Sequence, residues 1–345
     1  MKAIQIKKYN KNRDVQIRDI TIPEIKSTEV LVKVAYAAIN PLENLTINGS
    51  VKLIQNYKMP QTIGNELTGT IVKVGSKVED YKLGDKIYSR LPIDRIGAFA
   101  EYVSIESNAI AKLPKNLNLK TGAAVPLTGL TAYQAITEEL KAIPGKTLFI
   151  PGGSGSFGQM AVPIAKSLGL KVIVSGSPRL KDQFLAKGVD QYIDYKTENY
   201  CEVLSDIDYV IDTLGPNEFD KELSVMKPGG TIVSLINAPN KAFAVKNNFS
   251  PFKKLLFGLA GKKFDKKAQK KSIDYRFIFV RSDGEQLKIL NKIIEQNNII
   301  PDIDDHIFTI DEIDKALDYT FNHHTNGKVL IRIDNSDNTI YWLNR

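Results

Sequence analysis

Along the first 120 residues apolar positions come in short alternating runs. Ala3, Ile4 and Ile6, then Val15 and Ile17, then Val30–Tyr36 have the composition of strands, and Pro23 and Pro41 interrupt them. Thr70–Val74 alternates and stops at Gly75, while Gly84–Tyr88 and Phe99–Val103 each follow a glycine turn. Many short strands with turn signals between them predict a compact, barrel-like β domain.

From about residue 121 the pattern changes to strands alternating with helices. Thr128–Leu140 is predicted helical and Thr147–Pro151 a short buried strand. Ala161, Ile164, Ala165 and Leu168 then recur at helical spacing, and Lys171–Ser175 is a second strand. Asp208–Asp212 and Thr231–Leu235 are further buried strands, with a helix at about 219–226 between them. This order predicts an α/β domain built on a doubly wound parallel sheet. Beyond it come a strand at Asp274–Val280, helices at 285–296 and 311–321, and a strand at Gly327–Ile333. The final twelve residues are polar apart from Ile340, Trp342 and Leu343, a composition that fits a loosely held tail or an interface. The chain has no internal repeat.

At 345 residues two domains are expected, and 43% hydrophobic content is ample for their cores. No apolar run approaches the roughly 20 residues needed to cross a bilayer. Met1–Lys8 alternates like a strand and lacks the apolar centre of a signal peptide. Cys201 is the one cysteine, so neither an intrachain disulfide nor a multi-cysteine zinc site can form. A soluble, cytoplasmic protein is expected. The net charge of +8 is concentrated: residues 241–281 carry twelve Lys/Arg against Asp265 and Asp274, which leaves the rest of the chain near −2. Charge confined to one segment does not make the chain a nucleic-acid binder. Within 241–272 the apolar stripe Leu255, Leu256, Leu259 and Ala260 is surrounded by paired lysines. The plain reading is a solvated helix capping a cleft; the sharper one is weak contact of 253–271 with an anionic membrane surface or a partner.

The chemistry centres on Gly153-x-Gly155-x-x-Gly158, with Ser154, Ser156 and Phe157 between the glycines. A strand precedes this turn and a helix follows it. Glycines there let the backbone approach a pyrophosphate, and the helix N-terminus stabilises its charge. Dinucleotide binding is therefore expected. Leu214, Gly215, Ile236 and Asn237 follow later strands and are candidate cofactor contacts, because ligands bind such sheets beyond the carboxyl ends of strands. The second strand ends in Val174–Lys181 without an acid and offers Ser175, Ser177, Arg179 and Lys181. A carboxylate would repel a 2′-phosphate, whereas a guanidinium grips one, so NADPH is expected over NADH.

Several segments resemble one family. Val74-Gly-Ser-Lys-Val-Glu-Asp-Tyr-Lys-Leu-Gly-Asp-Lys-Ile87 resembles a segment of the medium-chain dehydrogenases/reductases. Ala123–Ala135 is similar to the corresponding stretch of the zinc-free quinone oxidoreductase branch, and Gly152–Gly158 and Met226–Gly230 agree. The resemblance implies a GroES-like catalytic domain from both chain ends, expected at 1–121 and 275–345, around a Rossmann domain at 122–274. It also implies a tyrosine beside the 2′-phosphate, at Tyr195, and places Asn40 and Thr128 near the nicotinamide. Zinc members carry a cysteine, then Gly-His-Glu, where this chain has Asn40 and Gly64-Asn65-Glu66. Asparagine is a poor zinc ligand, so a metal-free site is expected. Glu66 is expected in a buried ion pair. His306, His323 and His324 are read as surface residues.

Without a Lewis acid, a conjugated carbonyl is the easier acceptor, because its negative charge spreads onto oxygen as an enolate. Asn40 is expected to donate to substrate or to the cofactor ribose, and Thr128 to hold the carboxamide. Many relatives have a tyrosine soon after the Asn-Pro turn; this chain has Leu42–Leu45 there, and Tyr57 is the candidate substitute. Phe277, Ile278 and Phe279 are read as cleft walls and Lys328 as a reach to the cofactor phosphates. The reading is an NADPH-dependent, zinc-free reductase of quinones or α,β-unsaturated carbonyls. It is expected to form a homodimer through an edge strand of the Rossmann sheet, at Thr231–Leu235 or Asp274–Val280. Its rivals are an NADPH-binding regulatory or membrane-surface protein and a carbonyl reductase or alcohol dehydrogenase.

Overall fold

The structure is a computed structural model and describes residues 1–334. The polar tail with Ile340, Trp342 and Leu343 lies outside the described residues. The chain divides into two units, one comprising Met1–Leu130 and the residues from Arg281 onward, the other Thr131–Val280.

The first unit is built on sheets that are antiparallel except where Ile303–Thr309 pairs in parallel with Lys328–Arg332. In the larger sheet the strand order is Ile303–Thr309, Lys328–Arg332, Glu29–Ala38, Glu66–Val74, Lys86–Arg90 and Ala111–Lys112, and Tyr102–Glu106 also pairs with Glu29–Ala38. A smaller sheet joins Gln16–Asp19, Lys2–Ile6 and Gln61–Thr62. The alternation predicted for these strands follows their burial: Val30, Val32 and Val34 point inward with Leu67, Ile71 and Ile87. A side chain on Gly69 would meet the Lys33 carbonyl oxygen at 2.3 Å, so glycine lets Glu29–Ala38 and Glu66–Val74 approach closely where their register shifts. The late strand matters most for function. Lys328–Arg332 runs antiparallel to Glu29–Ala38 with Leu330 opposite Ala38, and Ile39 N–H donates to Val329 O at 3.0 Å. Residues from the two ends of the chain are thereby brought side by side.

The second unit is a six-stranded parallel sheet ordered Gln191–Asp194, Lys171–Gly176, Thr147–Ile150, Ile207–Asp212, Met226–Ser234, Asp274–Phe277. In chain order this is 3-2-1-4-5-6, the doubly wound order that opens a crevice where the first and fourth strands meet. Two strand expectations change. Thr231–Leu235 is the second half of the longer strand Met226–Ser234, and it is interior. Asp274–Phe277 is the edge and is shorter than predicted. Because this edge strand pairs with Met226–Ser234, the second unit runs to Val280 instead of ending at 274. The lysine-rich segment 241–272 forms two helices, Lys241–Lys246 and Pro251–Gln269.

Candidate active site

In the parallel-sheet unit the glycine turn is dictated by close approach. A side chain on Gly158 would lie 1.7 Å from the Gly153 carbonyl oxygen, and one on Gly152, whose φ is +63°, would meet Leu214 Cδ2 at 2.4 Å. Gly155 caps the helix Ser156–Ser167 and has open space where a side chain would be. A bare backbone at a helix N-terminus fits a pyrophosphate, whose charge would meet the N–H groups of the first turn.

The rim around that turn is formed by the neighbouring strand ends. Ser175 Oγ accepts from Gly152 N–H at 3.1 Å, and Ser154 Oγ accepts from Ser177 N–H at 3.3 Å, so both serines shape the loop. Ser177 is held further by Tyr192, whose hydroxyl donates to its carbonyl at 2.6 Å. Arg179 and Tyr195 are exposed just past the second and third strands, and Tyr195 N–H donates to Gly176 O at 3.3 Å. Leu214 and Ile236 are 45% and 55% exposed, large apolar residues at strand ends where a ligand's rings would cover them. Gly215, with φ +85°, lies against Ile236.

Sequence reasoning missed what holds these two loops. The buried Asp212 carboxylate accepts from Leu214 N–H (2.9 Å), Gly215 N–H (2.7 Å), Ser234 Oγ (2.6 Å) and Asn237 Nδ2 (2.6 Å). An acid at a strand end three residues before a glycine is the signal that could have found it. Glu222 is fully buried in the helix Phe219–Ser224. Burial and the Asp212 charge push it up to about 9, so it is held neutral.

Phe277 is turned the other way. It is buried and packs edge-on against Phe243 at 5.0 Å, within an aromatic cluster under the two inserted helices. Those contacts account for it as core rather than as a wall. Phe279, two residues on, is half-buried.

In the first unit a buried polar cluster surrounds Asn40. Asn40 precedes the helix Pro41–Ile47, and its N–H donates to Glu43 Oε2 at 2.6 Å. Its Nδ2 donates to Glu66 Oε1 at 2.8 Å, and its Oδ1 accepts from Lys328 Nζ. Lys328 also ion-pairs with Glu66 Oε1 at 2.9 Å, and the other Glu66 oxygen accepts from Leu127 N–H at 2.7 Å. Glu66 therefore has the ion pair expected of it. Asn65 gives Glu43 Oε1 both its N–H (3.1 Å) and its Nδ2 (2.7 Å). Burial pushes Glu43 up to about 7. Arg90 lies opposite Glu66 in the sheet, fully buried, with Nε and Nη2 unpartnered; burial draws it down to about 10, still a cation at neutral pH.

These bonds revise several assigned roles. Lys328 is buried and commits its ammonium to Glu66 and Asn40, which leaves no support for a reach to phosphate. Asn40 spends its amide on Glu66 and Lys328, so it orders the cluster and is not an open donor. Tyr57 donates its hydroxyl to Ile93 O at 2.8 Å and burial raises it above the ordinary tyrosine range, so its proton is taken. Thr128 Oγ donates to Ala124 O at 3.0 Å and keeps its lone pairs to accept. His323 and His324 are exposed, and His306 is exposed beside Asp304.

Residues 26–115 match the family model described as alcohol dehydrogenase GroES-like domain, and residues 187–331 that described as zinc-binding dehydrogenase. The chain is 30% identical over 322 residues to 2-methylene-furan-3-one reductase of Solanum lycopersicum, covering 91% of this chain and 74% of that one. The chain belongs to the medium-chain dehydrogenase/reductase family, in its zinc-free quinone oxidoreductase branch. NADPH-dependent alkenal/one oxidoreductase of Arabidopsis thaliana is 29% identical with the same coverage. The solved quinone oxidoreductase of Coxiella burnetii superposes with a TM-score of 0.81 at 25% identity, covering 97% of this chain and 99% of that one.

The zinc of this family does not fit these residues. Asn40 and Asn65 stand where the zinc members' motif has Cys and His; Asn40 Oδ1 faces the Lys328 ammonium, and Asn65 Nδ2 donates to Glu43 Oε1. A fixed positive charge at that point opposes a second cation, and neither amide nor ammonium is a zinc donor. NADPH fits these residues: an open backbone turn would meet pyrophosphate, and Ser177, Arg179 and Tyr195 would meet a 2′-phosphate with no acid at the end of the second strand.

Proposed function

We propose that this protein is an NADPH-dependent reductase that adds hydride to quinones or to the C=C bond of α,β-unsaturated carbonyls. The observation that carries the reading is the Lys328–Glu66–Asn40 cluster, which sets an ammonium against the residues that match the zinc members' motif. Gly153, Ser154, Gly155, Ser156, Phe157 and Gly158 would hold the pyrophosphate, Ser177, Arg179 and Tyr195 the 2′-phosphate, and Leu214, Gly215 and Ile236 the remaining length. When bound, the coenzyme supplies the hydride. Conjugated acceptors suit a site without a metal, because their developing charge is delocalised between carbon and oxygen. Glu66 and Lys328 fix Asn40, and Thr128 presents an accepting hydroxyl. The alkenal and quinone names of the relatives support the same substrate class.

The test is oxidation of NADPH, followed by absorbance, with a panel of quinones, alkenals and cyclic enones, with and without chelator and with NADH alongside. Turnover that survives the chelator and prefers NADPH is expected. Tight NADPH binding with no turnover of any acceptor, or oxidation of simple alcohols with NADP, would refute the reading.

No helix among the described residues is long and apolar enough to cross a membrane. Our reading extends to a cytoplasmic enzyme, to a homodimer formed through the edge strand Asp274–Phe277, and to contact of 253–271 with an anionic surface. Equilibrium sedimentation of the chain tests the dimer; a monomer at every concentration would exclude it.

A further inference from the structure

The helix Pro251–Gln269 has two apolar faces. Phe257, Gly261, Phe264 and Ala268 recur at helical spacing and are buried. Phe257 meets Phe243 edge-on at 5.7 Å and Phe264 stacks on Tyr275 at 5.6 Å, so this face docks the helix on its own domain. Phe252, Leu255 and Leu259 also recur at helical spacing, and with 3.6 residues per turn they fall on roughly the opposite side. They are 68%, 61% and 60% exposed. A single exposed leucine is ordinary, but three large apolar side chains in one outward row are not.

The charge on that outward face decides what it fits. One turn beyond Leu259 it continues into Lys262, Lys263, Lys266 and Lys270, and none of these has a carboxylate partner among the described residues. The one acid of the helix, Asp265, is bonded to Asn240 Nδ2 at 2.7 Å, and Lys267 is paired with Asp220 at 2.5 Å. Asp265 is thus committed to Asn240, and Asp220 neutralises Lys267 without reaching the outward lysines. Nucleic acid would use the lysines and leave the phenylalanine and leucines bare, while a neutral apolar peptide would have no use for the lysines.

We propose that this face docks the protein on bilayers of anionic phospholipid. Phe252, Leu255 and Leu259 enter the boundary between headgroups and acyl chains, and Lys262, Lys263, Lys266 and Lys270 hold the headgroup phosphates. On the reductase reading, docking brings the enzyme to quinones and long-chain enones dissolved in the membrane.

Flotation of the full chain tests this, with vesicles of phosphatidylcholine alone and of a two-to-one mixture with phosphatidylglycerol. The wild type is expected to float with the mixed vesicles and to be released by high salt. Lys262→Gln/Lys263→Gln/Lys266→Gln should weaken partitioning on the order of a hundredfold. Leu255→Ser/Leu259→Ser should weaken it about tenfold or more. Both should keep the wild-type thermal midpoint. Equal binding to neutral vesicles, or wild-type binding by the leucine variant, overturns the proposal. So does a leucine variant that turns a dimer into monomers, which makes the face a contact between copies. Lysine-dependent capture of duplex DNA without vesicle binding overturns it too. Vesicle binding needs no acceptor turnover, so failure of the reductase reading would be seen separately.

Discussion

Lys328 and Glu66 come from opposite ends of the chain and meet at 2.9 Å in a site that leaves each almost no access to water. Two charges so deeply buried are held by mutual neutralisation and by the hydrogen bonds from Asn40 and Leu127. Lys328→Met strands the carboxylate and is expected to cost about 3–5 kcal/mol of stability. Lys328→Met/Glu66→Leu should recover much of it. Urea unfolding of both variants measures the difference; equal losses would mean that the pair is not coupled.

Gly155 and Gly158 separate fold from ligand. Gly158→Ala forces a side chain against the Gly153 carbonyl and should lower the thermal midpoint. Gly155→Ala meets nothing in the chain, and its φ of −85° suits alanine. It is expected to leave the midpoint unchanged while weakening NADPH binding at least tenfold, because the added methyl occupies the pyrophosphate's approach. Calorimetry beside fluorescence titration reads the two effects.

Arg179→Ala is expected to raise KM for NADPH by roughly 10- to 100-fold, the loss of a charge-assisted bond of about 1.5–3 kcal/mol. KM for NADH should hardly move. A matched loss for both coenzymes would take Arg179 out of phosphate recognition.

Glu222 gives stability a pH dependence of known sign. Its folded value, about 9, lies above the unfolded one, so between about pH 5 and 9 the folded chain holds a proton that the unfolded chain releases. This carboxyl therefore costs the fold about 1.4 kcal/mol more per pH unit across that window, and nothing below it. Glu222→Gln should gain stability over the wild type as pH rises from 5 to 9. Denaturation midpoints at several pH values test it; a constant difference would contradict the burial argument.

Local pattern and short-range chemistry were legible in the sequence. The glycine turn, the strand–helix alternation and the acid-free end of the second strand are each written within a few neighbouring residues. Long-range polar pairing was not. Nothing near residue 328 announces a partner at 40 or 66; only the register of Leu330 opposite Ala38 brings them together. The same limit hid Asp212 beneath two loops and left the proton of Tyr57 unassigned until Ile93 O was seen. Phe277 read as a wall because its partner Phe243 lies on a helix that the insertion's lysines had masked.

The discontinuity of the first unit sets an order of assembly during synthesis. Thr131–Val280 is an unbroken stretch, complete as soon as Val280 has left the ribosome. The other unit must wait for Lys328–Arg332, because until that strand arrives Glu66 lacks its ion pair and the edge of Glu29–Ala38 stays open. The coenzyme-binding half can therefore be native while the half that would carry the acceptor is still unfinished, and a nascent chain stalled short of residue 328 would bind nucleotide without a working site.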